Sequence, residues 1–289
     1  MVFPYSPACV LRASGPDAAG FLQGQFSNDL AGIKPGQAVY GLWLDRKGHV
    51  MADSHVLPAA DGAGFWIASV SSPSRDVAPR LESHIIADDV AIEDATGGWR
   101  GLALIGDGAG AWLSGEPRPG LIFPGRRVAG ENWEWLFAAA DADGVAAAAA
   151  GARAVDAAGV ERMRIASGIP RVPADIGPAD LPNEGGLDAR AVSYSKGCYL
   201  GQEVMARLKS MGRVRRTLVR VRGSGEPPPV PAALWRGGRR EGELRSVAPD
   251  AGGPGYSGLA LVAAASAPAG GPLSLAADGP PSVEIVLGP

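Results

Sequence analysis

Lys196-Gly197-Cys198-Tyr199-Leu200-Gly201-Gln202-Glu203 is dense in chemistry and poor in core-building residues. It carries one of the chain's two cysteines, set between an ammonium and an aromatic ring, with a glycine on either side. Glycine allows positive φ and close approach of the backbone to a ligand or another chain segment. A thiol reacts as its thiolate, and a neighbouring ammonium such as Lys196 favours that form. A cysteine packed as a small hydrophobe is the competing reading. Only Leu200 in the octapeptide is ordinary core material, so the reading preferred here is a presented thiol. Cys198 and Lys196 are expected to form the working pair, with Gln202 and Glu203 fixing the loop or touching a ligand.

Several flanking segments extend the pattern. Upstream stand Arg164-Ile165-Ala166-Ser167-Gly168-Ile169-Pro170 and Leu181-Pro182-Asn183-Glu184 with Leu187-Asp188. Downstream are Ala206-Arg207 and Met211-Gly212-Arg213-Val214-Arg215-Arg216, and near the start Phe21-Leu22-Gln23-Gly24-Gln25-Phe26-Ser27-Asn28-Asp29. With the octapeptide, these segments resemble the YgfZ family, folate-binding relatives of the glycine-cleavage T-protein (aminomethyltransferase). The resemblance runs from about residue 12 to about residue 220 and leans to the branch of the mitochondrial iron–sulfur assembly factor.

That resemblance implies an α+β fold of three domains in a ring around a central cavity, with ferredoxin-like α+β domains and a small C-terminal β-barrel. The implied division is 1–50 with 150–213 as a discontinuous first domain, 51–149 as a second, and 214–289 as the barrel. It also implies tetrahydrofolate or a derivative as ligand, contacted by Tyr199, Gly201, Gln202, Glu203, Glu184, Gln25, Asn28 and Arg207. The implied partners are iron–sulfur assembly proteins or client iron–sulfur enzymes, with an indirect link to tRNA modification. Asp53 falls near the segment that supplies the T-protein's catalytic aspartate; a carboxylate opposite a bound amine can hold a proton. The alternative for Asp53 is a polar residue on the wet face of a hairpin. Where T-proteins carry a glutamate for the pterin, this chain has Ala166; either Glu184 or Glu203 reaches the same cavity, or folate binds weakly or is not the ligand.

Composition sets wider bounds. The chain has 289 residues, 46% hydrophobic and 20% charged, with net charge −3, which fits a soluble protein of two or three small domains. No apolar run approaches the roughly 20 residues of a membrane helix, and Met1–Arg12 lacks the layout of a signal peptide. Cys9 and Cys198 make no disulfide framework and point to a reducing, cytoplasmic setting. Two cysteines cannot build a four-Cys iron–sulfur site, and the three histidines lack zinc spacings. No self-contained metal site is therefore expected, and Cys198 is left as a possible transient ligand. His49 and His55 read as independent residues of one strand.

Periodicity locates the elements. Ser14 and Asp17 are expected to cap a short helix carrying Phe21 and Leu22 inward and stopping at Gly24. Residues 38–44 and 49–57 read as strands joined by the turn 45–48, with 65–70 as a third strand. Helices are expected from Pro73 to about residue 86, over 145–150, and over 153–167. Residues 90–93, 102–105, 120–123 and 133–138 read as strands; 171–197 reads as an irregular functional stretch. From 214 onward strands dominate.

Seven cations fall within residues 207–222 with no acid among them. Such a patch suits an acidic partner, a folate tail or RNA, or is simply a solvated strand face. No aromatic residue interleaves it for base stacking, which argues against RNA as the primary partner. Three functions follow: an iron–sulfur accessory protein first, then a tetrahydrofolate-dependent aminomethyltransferase-like enzyme, then a binding module using 207–222.

Overall fold

A computed structural model describes residues 1–115 and 118–287. In chain order the first part contains β1 (Val2–Tyr5), β2 (Cys9–Ser14), α1 (Ala18–Gln25), β3 (Val39–Leu44), β4 (Val50–Pro58), β5 (Phe65–Ser69), α2 (Ser74–Glu82) and β6 (Ala91–Asp94). Next come β7 (Trp99–Ile105), α3 (Ala109–Ser114), β8 (Leu121–Pro124), β9 (Asn132–Ala138) and α4 (Ala142–Ala148). Then follow α5 (Ala157–Ala166), α6 (Asp188–Ala191) and α7 (Gln202–Met211). The rest is β10 (Arg216–Ser224), β11 (Ala232–Arg236), β12 (Arg239–Pro249), β13 (Gly255–Ala263), β14 (Pro272–Leu273) and β15 (Val283–Ile285).

The strands form three antiparallel sheets ordered β3-β4-β5-β2-β6, β1-β7-β9-β8 and β11-β12-β13-β10-β15-β14. The third is nearly closed, because Trp235 and Ser274 at its two edges exchange backbone hydrogen bonds of 2.9 Å. The result is an α+β fold with a C-terminal six-stranded barrel. The sheets divide the chain differently from the expected domains. β4 and β5 lie beyond residue 50 yet belong to the first sheet, while β1 joins the second. The boundary expected at residue 50 falls at the start of β4, whose ladder pairs Leu44 with Val50 and Leu42 with Asp53. A hairpin's register is set by its short turn, so its two strands stay in one sheet.

Alternation along the first sheet decides its two faces. Leu11, Trp43, Ala52, Val56 and Ile67 pack against Phe21 and Leu22 of α1 and Val77 and Leu81 of α2. On the other face, Leu42, Leu44 and Val50 pack against Val172, Ile176, Ala191, Tyr199 and Met205. A further part of that face, Val10, Leu57 and Ala68, meets Phe123 and Leu136 of the second sheet. The irregular stretch after α5 thus covers a sheet rather than linking domains. Ile165 of α5 joins it to the barrel through Ala248 and Leu259.

Most elements stand within a few residues of their expected places. α1 continues through Gly24 to Gln25, and neither Ser14 nor Asp17 caps it with a side chain: Asp17 is the N-cap residue without such a bond. α5 begins at Ala157 rather than near 153, because the Asp156 side chain accepts the Gly159 N–H at 2.7 Å and fixes the helix start. β1, β2, α3 and α7 lie outside the expected elements, although α7 carries Val204, Met205 and Leu208 at helical spacing on one core face. No helix of the described residues is long and apolar enough to cross a membrane.

Candidate functional site

The octapeptide is pinned at three places. The Lys196 ammonium is buried and donates to the carbonyls of Gln23 (2.6 Å), Phe26 (2.8 Å) and Asn28 (2.8 Å). These lie in and just after α1, where helix carbonyls lack intrahelical donors. Leu200 N–H donates to the Gly24 carbonyl at 3.1 Å. Gly201, at φ +87°, ends the loop against the β3–β4 turn; a Cβ there would stand 2.7 Å from the Asp45 carbonyl oxygen. Between these anchors Cys198 is exposed, whereas Cys9 is buried and its thiol is pushed up by desolvation.

Lys196 therefore acts as an anchor. Burial pushes its ammonium down to about 8, against the pull of Asp29. Three carbonyl acceptors oppose loss of the proton. The expected thiol-tuning partner has its three donors committed to backbone carbonyls.

The remaining expected contacts separate. Tyr199 is buried under α7 in the second core cluster, and its hydroxyl has no hydrogen-bond partner. Gln202 and exposed Glu203 form the first turn of α7, and Arg207 is exposed one turn on. Gln25 ends α1 with its Oε1 buried and unpaired. Asn28 spends its amide on the carbonyls of Tyr40 (2.8 Å) and Arg190 (3.0 Å). Glu184 is buried, held by Arg216 at 2.8 and 2.9 Å and by the Leu181 N–H. Neither Glu184 nor Glu203 lines the cavity that contains Asp53.

That cavity, about 340 Å³, lies where the first sheet, the second sheet and α5 meet. Asp53, on β4, and Glu134, on β9, are its buried carboxylates. Asp53 Oδ1 accepts hydrogen bonds from Ser72 (2.7 Å) and Ser69 (3.0 Å), and Oδ2 from the Tyr40 hydroxyl (3.0 Å). Asp53 thus faces a cavity rather than open solvent. Arg126 lies over the Tyr40 ring at 3.9 Å, with its Nη1 3.8 Å from Asp53 Oδ2. Next to it, Arg127 is locked by Glu134 at 2.7 and 3.1 Å, and Glu134 also accepts from Tyr5 at 2.6 Å. Tyr5 is seated by Gly101 across the strand pair, where a Cβ would come within 2.4 Å of its ring. The α5 wall carries Glu161 and Arg164, and Arg164 continues to Asp175 (2.7 Å) and Ser246 of the barrel (2.8 Å).

His55, one β4 residue beyond Ser54, is buried between Tyr40 and Phe123, with ring centroids 5.1 and 4.5 Å away. Desolvation, reinforced by Arg126, lowers its pKa to about 3. His49 is outside the strand, its Nδ1 3.0 Å from Asp45 Oδ2 in the hairpin turn. The two histidines do not share a strand, because the ladder ends at the Leu44–Val50 pair and His49 precedes β4. Among the described residues no group of three or more His, Cys, Asp or Glu side chains can hold a metal ion.

Of the basic segment, Arg216 pairs with Asp180 (3.0 Å) as well as Glu184, and Arg220 donates to the Ala166 carbonyl. Lys209 lies 4.4 Å over Tyr194. The segment is thus partly structural, while Arg207, Arg213 and Arg215 remain exposed. Sequence reading missed Tyr40, Ser69, Arg126 and Arg164 as cavity residues, and Ser72 as the buried partner of Asp53 behind them. The serines at 69, 71 and 72 at the end of a strand and the Arg126-Arg127 pair in a loop were the available signals.

The folate-type ligand implied earlier can be tested against this lining. One acceptor position remains on Asp53 Oδ2 after the Tyr40 bond. The cavity volume lies in the range of small-molecule sites. The free acceptor position on Asp53 Oδ2 is one that an N–H-bearing group can use.

The description GCVT N-terminal domain matches residues 2–115. The fold resembles that of the glycine cleavage system aminomethyltransferase T from Bartonella henselae, at a TM-score of 0.81 and 18% identity over 98% of this chain and 84% of that one. The chain is 30% identical over 235 residues to the tRNA-modifying protein YgfZ of Edwardsiella ictaluri, covering 76% of this chain and 70% of the relative. It is also 30% identical over 276 residues to the mitochondrial iron–sulfur cluster assembly factor IBA57 of Homo sapiens, covering 88% and 74%. With these identities across most of both relatives, and an exposed Cys198 on a pinned loop, the chain belongs to the YgfZ/IBA57 family.

Proposed function

We propose that this protein is a folate-binding-fold accessory factor that supports iron–sulfur cluster assembly or repair in client enzymes, and through them tRNA modification. The observation that carries this reading is the exposed Cys198 on a loop held by Lys196, Leu200 and Gly201. Such a loop offers its sulfur to a partner or to a cluster in transit at little ordering cost. The cluster is cargo here, and the partners are assembly proteins or the client enzymes. Gln202, Glu203 and Arg207 lie along α7 beyond the thiol and would meet whatever docks there.

Tetrahydrofolate or a derivative would occupy the Asp53 cavity. Asp53 and Tyr40 would hold its N–H edge, and the folate would supply a one-carbon carrier. Asp53 itself holds or orients a proton at Oδ2, since Oδ1 already accepts two serine hydroxyls.

The test is complementation. In cells lacking the gene, wild-type protein should restore client iron–sulfur enzyme activity and Cys198→Ser should not, with an unchanged melting temperature. Full restoration by Cys198→Ser would remove the thiol mechanism. The aminomethyltransferase reading is favoured by one observation, Asp53 inside the cavity. It would be established if purified protein formed methylenetetrahydrofolate from an aminomethyl donor.

A further inference from the structure

Two adjacent arginines project from the loop between β8 and β9, and their surroundings differ. Arg127 is held by two hydrogen bonds to Glu134 and lies against Tyr5 at 4.2 Å. Arg126 has Asp53 as its nearest carboxylate, at 3.8 Å and beyond hydrogen-bond reach, and rests on the Tyr40 face at 3.9 Å. The backbone on either side is fixed, since Gly125 N–H donates to the Asn132 carbonyl and Arg127 N–H to Asn132 Oδ1. Movement of Arg126 therefore needs only its side-chain torsions, leaving the loop in place.

The guanidinium of Arg126 is a flat N–H-bearing cation placed over an aromatic ring and opposite a carboxylate oxygen with one acceptor position left. A ligand with a cyclic guanidine or amidine edge would make those same two contacts. Tyr40 is covered on one side by Arg126 and lies 5.1 Å from the His55 ring, so its exposed face is not available while Arg126 stays. We propose that Arg126 is an internal stand-in for the ligand: it fills the Asp53–Tyr40 niche in the free protein, and a planar guanidine-like ligand group binds by displacing it.

A displaced occupant lowers apparent affinity by the fraction of molecules in which the niche is open. Desolvated contact of a flat cation with an aromatic face gives the niche its selectivity. For the pterin edge in particular, the proposal rests on the folate reading above.

The experiment compares wild type with Arg126→Ala, and uses two probes. Methylguanidinium tests the niche alone: it should raise the melting temperature of Arg126→Ala saturably, leave wild type unchanged, and lose its effect in Arg126→Ala/Asp53→Asn. Calorimetry with tetrahydrofolate should then show at least tenfold tighter binding to Arg126→Ala than to wild type. A methylguanidinium response confined to the single variant, with no tetrahydrofolate binding by either protein, supports the niche and removes folate as its ligand. Equal methylguanidinium responses in wild type and variant, or none in the variant, overturn the proposal. So does tetrahydrofolate binding that is equal in the two proteins or weaker in the variant.

Discussion

The Asn28 side-chain amide donates to the Tyr40 carbonyl at 2.8 Å, and this bond joins the thiol loop to the cavity. The Asn28 carbonyl accepts from Lys196, two residues before Cys198, at 2.8 Å. The Tyr40 hydroxyl donates to Asp53 Oδ2 at 3.0 Å. A run of four residues, Lys196, Asn28, Tyr40 and Asp53, thus connects the two candidate centres by hydrogen bonds and one strand residue.

Lys196→Met is expected to destabilise the fold by about 2–4 kcal/mol, because three buried carbonyls lose a charged donor. Urea denaturation checks this. A loss below about 0.5 kcal/mol would show that water replaces the ammonium and that the loop is not anchored there.

Gly201→Ala tests the loop's other end. The residue sits at φ +87°, and its new Cβ would meet the Asp45 carbonyl oxygen at 2.7 Å. Strain of about 1–3 kcal/mol is expected, together with an altered rate of Cys198 alkylation at fixed pH. An unchanged alkylation rate at reduced stability would separate the strain from presentation of the thiol.

His55 sets an acid dependence. Its folded pKa of about 3 lies below the ordinary 6.5. Between those values the unfolded chain binds a proton that the folded chain refuses. Its contribution is therefore at its full value above about pH 6.5 and falls as the pH drops toward 3, at up to about 1.4 kcal/mol per pH unit. Stability measured across that window should show a shallower slope in His55→Gln. The same slope in the variant would assign the acid loss to the carboxylates.

Arg164 ties α5 to the barrel through Ser246, directly and by way of Asp175, while its Glu161 pair stays within the helix. Arg164→Met leaves Asp175, which is fully buried, without its cation. A loss of about 3–5 kcal/mol is expected, with earlier proteolytic cleavage between α7 and β10. A variant within 1 kcal/mol of wild type would mean that the remaining Asp175 partners, Ser246 and the Arg171 N–H, suffice.

Much of this molecule was legible along the chain. The β3–β4 hairpin, β5 and α5 follow from alternation, stops and turn residues, which act within a few positions; the barrel was legible only as a strand-rich stretch after 214. The octapeptide and its flanking segments were enough to indicate the family. β1 and β2 escaped because Pro4 within the first and Pro7 between the two read as turn formers. Glu184 was misjudged as a cavity carboxylate because its partner, Arg216, lies 32 residues away in sequence.

The sequence by itself determined the local elements, the exposed thiol segment and the absence of a disulfide framework. Only the tertiary structure decided that Lys196 is an anchor, that Asp53 is a cavity residue, and that Arg126 lies on Tyr40. Each of these depends on groups brought together from distant positions. Burial, desolvation and the allotment of donors to acceptors exist only after the sheets have packed, and no spacing along the chain encodes which carbonyl a buried ammonium will find.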